Sequence, residues 1–594
     1  MKIKVAQYIA DFFVSKGVQD VFTVTGGGAM HLNDAFGHHE GLHCIYNHHE
    51  QACAIAAEGY ARLTGKVALV CVTSGPGGTN TLTGVLGGWQ DSIPMVIISG
   101  QVKRETTTWS TDVPVRQLGD QEFQIVDCVK TMTKYAHMVT DANQIKYHLE
   151  KAWHLCNTGR KGPVWLDIPL DIQASVIDTE CLADYTPDES VCSIPYLPQY
   201  TEKIITKINE AKRPVILAGT GIRLSQSHEL FMKVIEKLNI PVLTAWNAHD
   251  VLADENPLFC GRPGTVGTRG GNFIIQKADL LLVLGCRLNI RQISYNYRDF
   301  AKHAYKIIVD IDAAELEKPT INPDLPIHAD VKDVMDAILK SGYKNKNTGH
   351  KEWLKWCREV NEKYPATLLE YYKDEKINPY VFISELSKIL NEDDVIVCGN
   401  GAACVITFQA INIKQGQRLF TNSGCAAMGY GFPAAIGCGV ARGEKRTICI
   451  DGDGSFQMNI QELQTIVYNN INVKIFIINN NGYHSIRQTQ SSLFHSPLVG
   501  VCKENGISFP DLSKIAWAYG VKYIRIETLA DMNKVIDFLG QSGPGICEVF
   551  VNEQQNFVPK LSSKVLEDGT IVSPEIDDMF PFLPRSEYDE IKNF

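Results

Sequence analysis

An excess of basic charge is what this sequence most plainly lacks. Lys and Arg number 57 against 67 Asp and Glu, a net charge of −10 at neutral pH. Without a cationic field there is little to hold a phosphate backbone non-specifically, which excludes nucleic acid as the principal partner. Cys-x-x-Cys pairs are absent too: the 17 cysteines are scattered and odd in number. That argues against a structural zinc site and a disulfide framework, and the expected compartment is reducing, the cytoplasm. No apolar run has the content to cross a bilayer. The uncharged stretch 425–441 is interrupted by Gly429, Gly431, Pro433, Gly437 and Gly439, so no membrane association is expected. Residues 1–16 carry Lys4, Gln7 and Asp11 where a secretory leader needs an unbroken apolar segment, and no leader is expected. No short-period repeat is present.

What remains is a globular chain of 594 residues, 44% hydrophobic and 21% charged, long enough for several domains. Apolar strand-like runs alternate with helical patterns at 18–24, 67–72, 95–99 and 164–168. They continue at 215–218, 280–284 and 307–311, then at 395–398, 447–450, 473–478 and 545–551. Short, doubly buried strands separated by helices predict an α/β fold of parallel sheets. Polar stretches near 180–200 and 343–351 read as linkers. They divide the chain into three Rossmann-like, doubly wound units, 1–178, 196–343 and 372–553, with a tail at 554–594 expected to wrap a surface. The first and third units resemble each other in plan, each placing glycine-rich turns after strands, which suggests duplication.

Gly452-Asp453-Gly454-Ser455 follows the strand at 447–450, and Asn479-Asn480-Asn481-Gly482-Tyr483 follows the strand at 473–478. Asp453 offers a carboxylate oxygen and Asn480 an amide oxygen to a hard cation that also binds phosphate oxygens; magnesium suits such donors. Gly452 and Gly454 let the backbone approach the anion, and a helix starting near Asn459 would direct N–H groups at it. Alone, Gly-Asp-Gly is more often a plain strand–helix connection. The paired asparagines shift that reading, because both motifs fall at carboxyl ends of neighbouring parallel strands.

With these residues the chain resembles the thiamine diphosphate-dependent enzymes of the acetolactate synthase family, over essentially its whole length. The resemblance implies pyrimidine-binding, middle and diphosphate-binding domains in that order, with thiamine diphosphate and Mg²⁺ as cofactors. The metal ligands would be Asp453, Asn480 and the backbone oxygen of Gly482. Glu50 matches the glutamate that hydrogen-bonds N1′ of the aminopyrimidine and drives the tautomer needed to deprotonate thiazolium C2–H, an acid–base role typically worth about 10²–10⁴-fold. Without that context Glu50 reads as a first-turn glutamate favoured by a helix dipole. Met428 matches the apolar residue that props the bent cofactor, its other reading being core packing. Further implied contacts to the cofactor are Gly26, Gly27, Thr73, Gly77, Asn80, Gly399, Asn400, Gly452, Gly454, Ser455 and Tyr483. In that family the glutamate and the metal-binding aspartate come from different subunits, so a homodimer or homotetramer with sites at the interface is expected.

The resemblance implies that Gly28, Phe123 and Gln124 fall beside the donor 2-oxo acid, although an isolated Phe-Gln pair also reads as packing. Arg291 matches the family's acceptor-selecting arginine. Two positions depart from the pattern: Leu170 replaces a lysine and Thr489 replaces a tryptophan, which enlarges the acceptor pocket. His484, where the synthases carry glycine, reads either as a proton relay or as a loop histidine facing solvent. In the middle unit Gly219, Gly221, Gly264, Thr265, Gly267, Thr268, Arg287, Arg291, Asp310 and Asp330 are the candidate FAD contacts; relatives hold FAD, ADP or nothing there. The implied activity is decarboxylation of a 2-oxo acid such as pyruvate and transfer of the acyl unit to a carbonyl acceptor. The tail resembles relatives associated with surface-polysaccharide synthesis, which points to a keto-sugar nucleotide. The alternatives are a simple 2-oxo acid decarboxylase, a 2-hydroxyacyl-CoA lyase and a catalytically silent flavin-binding homologue.

Overall fold

The computed structural model describes residues 1–187, 197–345, 347–494, 496–565 and 568–593, so part of the expected linker near 180–200 lies outside the described residues. The first domain carries β1 (Lys2–Lys4), β2 (Asp20–Thr23), β3 (His43–Tyr46), β4 (Ala68–Val72), β5 (Met95–Gln101), β6 (Ala136–Met138), β7 (Val164–Pro169) and β8 (Val176–Asp178). Six of these form a parallel sheet in the order β3-β2-β4-β5-β7-β6, while β1 and β8 pair antiparallel. The middle domain holds β9 (Pro214–Ala218), β10 (Val242–Thr244), β11 (Leu280–Leu284), β12 (Tyr305–Asp310) and β13 (Leu325–His328), parallel in the order β10-β9-β11-β12-β13. The third holds β14 (Val395–Cys398), β15 (Arg418–Phe420), β16 (Thr447–Gly452), β17 (Val473–Asn479), β18 (Lys522–Ile526) and β19 (Gly545–Phe550), parallel in the order β15-β14-β16-β17-β19-β18.

Three parallel sheets covered by helices are the predicted architecture. The first and third sheets have the same strand order, which gives the resemblance in plan a structural form. Their second strands each lead to a helix, Glu50–Thr64 and Gly431–Arg442. These two helices pack on each other through small residues. A Cβ on Gly437 would overlap the carbonyl oxygen of Ala56, and one on Gly59 that of Ala434, so the backbones meet where side chains are missing. The first helix is capped by the ring Nδ1 of His49, which accepts from Gln51 N at 3.1 Å, and it stops at Gly65 with φ +69°.

The helix expected near Asn459 starts earlier, as the short turn Asp453–Phe456. Asn459 itself breaks the helical path at φ −135°, because its amide donates to Gly429 O at 2.7 Å and to Gln51 Oε1 at 3.1 Å. The tail does wrap a surface. Val558 N donates to Tyr380 OH at 3.0 Å in the third domain, and Leu561 N to Thr265 O at 2.7 Å in the middle one. The closing helix Arg585–Lys592 buries Tyr588 and Ile591 against Phe273 and Val360. Among the described residues no helix is long and apolar enough to cross a membrane.

Candidate active site

Each loop of interest leaves the carboxyl end of a strand, where parallel sheets bind ligands. In the third domain β16 ends at Gly452 and the chain turns at once through Asp453. One carboxylate oxygen of Asp453 accepts from Gly454 N and the other from Gly482 N, both at 2.9 Å. Burial pushes this carboxyl up to about 7, against the pull of those two amides. Asn480, after β17, is buried, and its Oδ1 has no hydrogen-bond partner among the described residues. A buried acceptor left unpaired costs stability unless something else occupies it.

Around this pair lies a cavity of about 340 Å³ lined by Asn400, Met428, Gly452, Asp453, Asn480 and His484, with Trp246 and Arg291 of the middle domain on another wall. A Cβ on Gly452 would meet open space, leaving room for a ligand beside the backbone. The Met428 loop is fastened to the Asp453 turn, since Gly429 N donates to Ser455 Oγ at 2.9 Å. Asn400 holds the same loop through Ala427 O at 2.7 Å. Among the described residues no cluster of three or more His, Cys, Asp or Glu could hold a metal. A cation here would use the oxygen-only set of Asp453, Asn480 and the backbone, which suits magnesium. The orphaned Asn480 oxygen beside a buried carboxyl fits such an ion.

The first domain presents its own constellation at the equivalent end. Glu50 begins its helix half-buried, and Asn80 Nδ2 donates to its Oε2 at 2.9 Å. Gly28 N donates to Thr73 Oγ1 at 3.0 Å, and Gly26 and Gly77 pack closely on the Thr73 side chain, joining the turns after β2 and β4. Phe123 and Gln124 follow β5. Gln101 Nε2 donates to Phe123 O at 2.8 Å, and Gln124 Nε2 to Thr108 Oγ1 at 2.6 Å. Among the described residues none from this domain lines the Asp453 cavity. One chain therefore brings together Asp453, Asn480, Gly452, Met428, Arg291 and His484, and separately the Glu50, Thr73 and Asn80 group; among the described residues neither that group nor Thr489 lines the Asp453 cavity.

Three substrate-side residues acquire definite surroundings. His484 does not face solvent: it is buried, and its ring lies 5.1 Å from that of Phe557 of the tail. Burial, with Arg487 nearby, pushes its pKa down to about 4, so it is neutral at physiological pH. Thr489 is exposed, its hydroxyl donating to Ser485 O at 2.9 Å. Arg291 sets its guanidinium 5.4 Å from the Trp246 ring, within cation–π range.

A second cavity, of about 410 Å³, opens between the first and middle domains. Gly221, Arg287, Asp310 and Asp330 line it; Gly219, Gly264, Thr265, Gly267, Thr268 and Arg291 do not. The latter group builds turns instead. Thr265 N donates to Arg291 O at 2.9 Å, and Thr268 Oγ1 caps the helix Arg269–Lys277 by accepting from Gly271 N. Sequence reading missed the first-domain contributors Arg160 and Lys161, and also Trp246 and Ser423, which border both cavities. The basic turn Gly159-Arg160-Lys161-Gly162 was a signal for the first two. Beside this cavity a buried polar chain crosses domains: Glu58 pairs with Arg62 and accepts from Tyr430 OH at 2.6 Å, while Arg62 reaches Asp91 at 2.9 Å.

Comparison with known proteins agrees with this architecture. The N-terminal TPP-binding, central and C-terminal TPP-binding domain families of thiamine pyrophosphate enzymes match residues 3–127, 201–338 and 399–549. A probable acetolactate synthase large subunit of Methanococcus aeolicus is 34% identical, over 87% of this chain and 87% of its own. The acetolactate synthase large subunit of Lactococcus lactis is 32% identical over 95% and 96%, and the isozyme 1 large subunit of Escherichia coli 29% over 93% and 95%. With the sheets and these matches in agreement, the chain belongs to the acetolactate synthase large-subunit family of thiamine pyrophosphate enzymes.

Proposed function

We propose that this protein decarboxylates a 2-oxo acid, pyruvate foremost, and joins the resulting acyl unit to a carbonyl acceptor, using thiamine diphosphate and Mg²⁺. The observation that carries the reading is the unpartnered Asn480 oxygen beside the buried Asp453 carboxyl in an open cavity. Asp453, Asn480 and the Gly482 carbonyl would hold the metal, with Gly452 and Ser455 beside the diphosphate and Met428 beneath the ring system. When bound, thiamine diphosphate supplies the electron sink for loss of carbon dioxide and for carbon–carbon bond formation. Glu50 holds a proton at the pyrimidine end. A second copy of the chain supplies that Glu50, together with Gly26, Gly27, Thr73, Gly77 and Asn80, because among the described residues none of the first domain lines the cavity of its own chain. The site thus requires a homodimer or a larger even assembly.

On the acceptor side, Arg291 presents a cation on the cavity wall, while Thr489 is exposed and outside the cavity lining. The small residue where the resemblance places a tryptophan is the argument for an acceptor bulkier than pyruvate, with a keto-sugar nucleotide as the candidate. His484, neutral and on the cavity wall, is available to pass a proton to an acceptor oxygen. The second cavity, with Gly221, Arg287, Asp310 and Asp330 on its walls, is the candidate seat for a flavin nucleotide.

The test is mass spectrometry of products from pyruvate with a panel of ketone acceptors, with and without thiamine diphosphate and Mg²⁺. A carbon–carbon product dependent on both cofactors supports the proposal. Acetaldehyde alone would mark a simple decarboxylase, and no release of carbon dioxide a silent homologue. Visible absorbance of the purified protein decides the flavin.

A further inference from the structure

The loop that carries Asn480 and Gly482 is not a relaxed turn. Asn481 sits at φ +56° and Gly482 at φ +130°, the left-handed region that a non-glycine residue such as Asn481 occupies at a cost. Its flanks are tied down on both sides. Asn479 Nδ2 donates to Glu548 Oε1 at 2.6 Å, and Tyr483 N to Val501 O at 2.9 Å. The middle of the loop is held differently. Arg487, one turn into the helix His484–Leu493, reaches back and donates from Nη1 to Asn480 O at 3.0 Å and from Nη2 to Asn481 O at 2.7 Å.

We propose that Arg487 is the positioning residue of the metal loop, clamping two consecutive carbonyls so that the Asn480 amide oxygen and the Gly482 backbone stay aimed at one ion. The inference rests on the reading of Asp453, Asn480 and Gly482 as the metal site. A guanidinium does this and an ammonium does not, because its planar fork spans two acceptors at once while an ammonium is a single point charge. The fork also replaces the water that would otherwise solvate those carbonyls, and so keeps the strained loop from relaxing. Groups that orient metal ligands from behind typically change metal affinity by about 10–100-fold when removed.

The experiment is a titration of apoprotein with Mg²⁺ at fixed thiamine diphosphate, read by quenching of intrinsic tryptophan fluorescence, for wild type, R487K and R487M. The expected result is a half-saturating Mg²⁺ concentration raised about 10–100-fold in R487M and by less in R487K, with the same quench reached at saturating metal. A purely structural role would instead lower the plateau and the melting temperature without moving the metal midpoint, and that result overturns the proposal. If R487M fails to fold by circular dichroism, R487K carries the test. It keeps the charge and the stem, and a metal midpoint equal to wild type overturns the proposal. Wild type that takes up thiamine diphosphate without regard to Mg²⁺ would overturn the metal-site reading itself, and this inference with it.

Discussion

The first and third domains share a strand order and even a helix after the second strand, yet they finish their ligand-bearing ends in opposite ways. In the third domain that end is enclosed: Asp453 and Asn480 are buried, and the middle domain adds Trp246 and Arg291 to the wall. In the first domain it is open. Met30, Trp109, Val113, Leu118 and Phe123 are all exposed at or beyond the ends of its strands, an apolar surface that a finished protein seldom leaves to water. On the proposed reading, the same scaffold serves an anion and a cation in one copy and acid–base chemistry in the other. The difference teaches that a fold fixes where a ligand can sit, while loop residues decide which end of it is held.

That contrast can be broken at several points. The largest expected effect is on chemistry alone: E50Q keeps the helix and its cap but should lower turnover about 10²–10⁴-fold, measured as product formation at unchanged melting temperature. Equal turnover would strip the first domain of its assigned task. Next, R62M leaves the buried Glu58 carboxylate without its cation and Asp91 with Arg287 alone, 3.6 Å away. It should destabilise by about 3–5 kcal/mol, seen as a lower thermal midpoint. The seam between the two domains is tested by G437A, which drives a methyl group into the Ala56 carbonyl; overpacking of this kind costs about 1–3 kcal/mol. The smallest effect belongs to H49A, which removes the cap that the first domain's helix has and the Gly431–Arg442 helix lacks. A denaturant midpoint shift worth about 0.5–1 kcal/mol is expected.

The legible and illegible parts of the fold divide along one physical line. Every strand read from sequence lies in the interior of its sheet. The unread strands of the three sheets, β3, β6, β10, β13, β15 and β18, are their edges. An interior strand of a parallel sheet is buried on both faces and reads as an apolar run, whereas edges such as Lys522–Ile526 carry Lys and Arg and face water. The site divides similarly. Asp453, Asn480 and Glu50 stand in local motifs, which is why the sequence singles them out as candidates. Trp246 reaches its cavities only through packing of one domain on another, and no local spacing announces it. The Gly264 to Thr268 turn shows the converse, a glycine pattern that serves the backbone and lines neither cavity.

The central claim is that a complete site takes Glu50 from one copy and Asp453 from another. Mixed assemblies of E50Q and D453A, each inactive alone and carrying different affinity tags, test it directly. If sites lie between copies, each mixed dimer holds one intact site of two, and an equal mixture should recover about a quarter of wild-type activity. If each site lies within one chain, every site carries a lesion, and mixed dimers that remain as inactive as their parents would contradict the account.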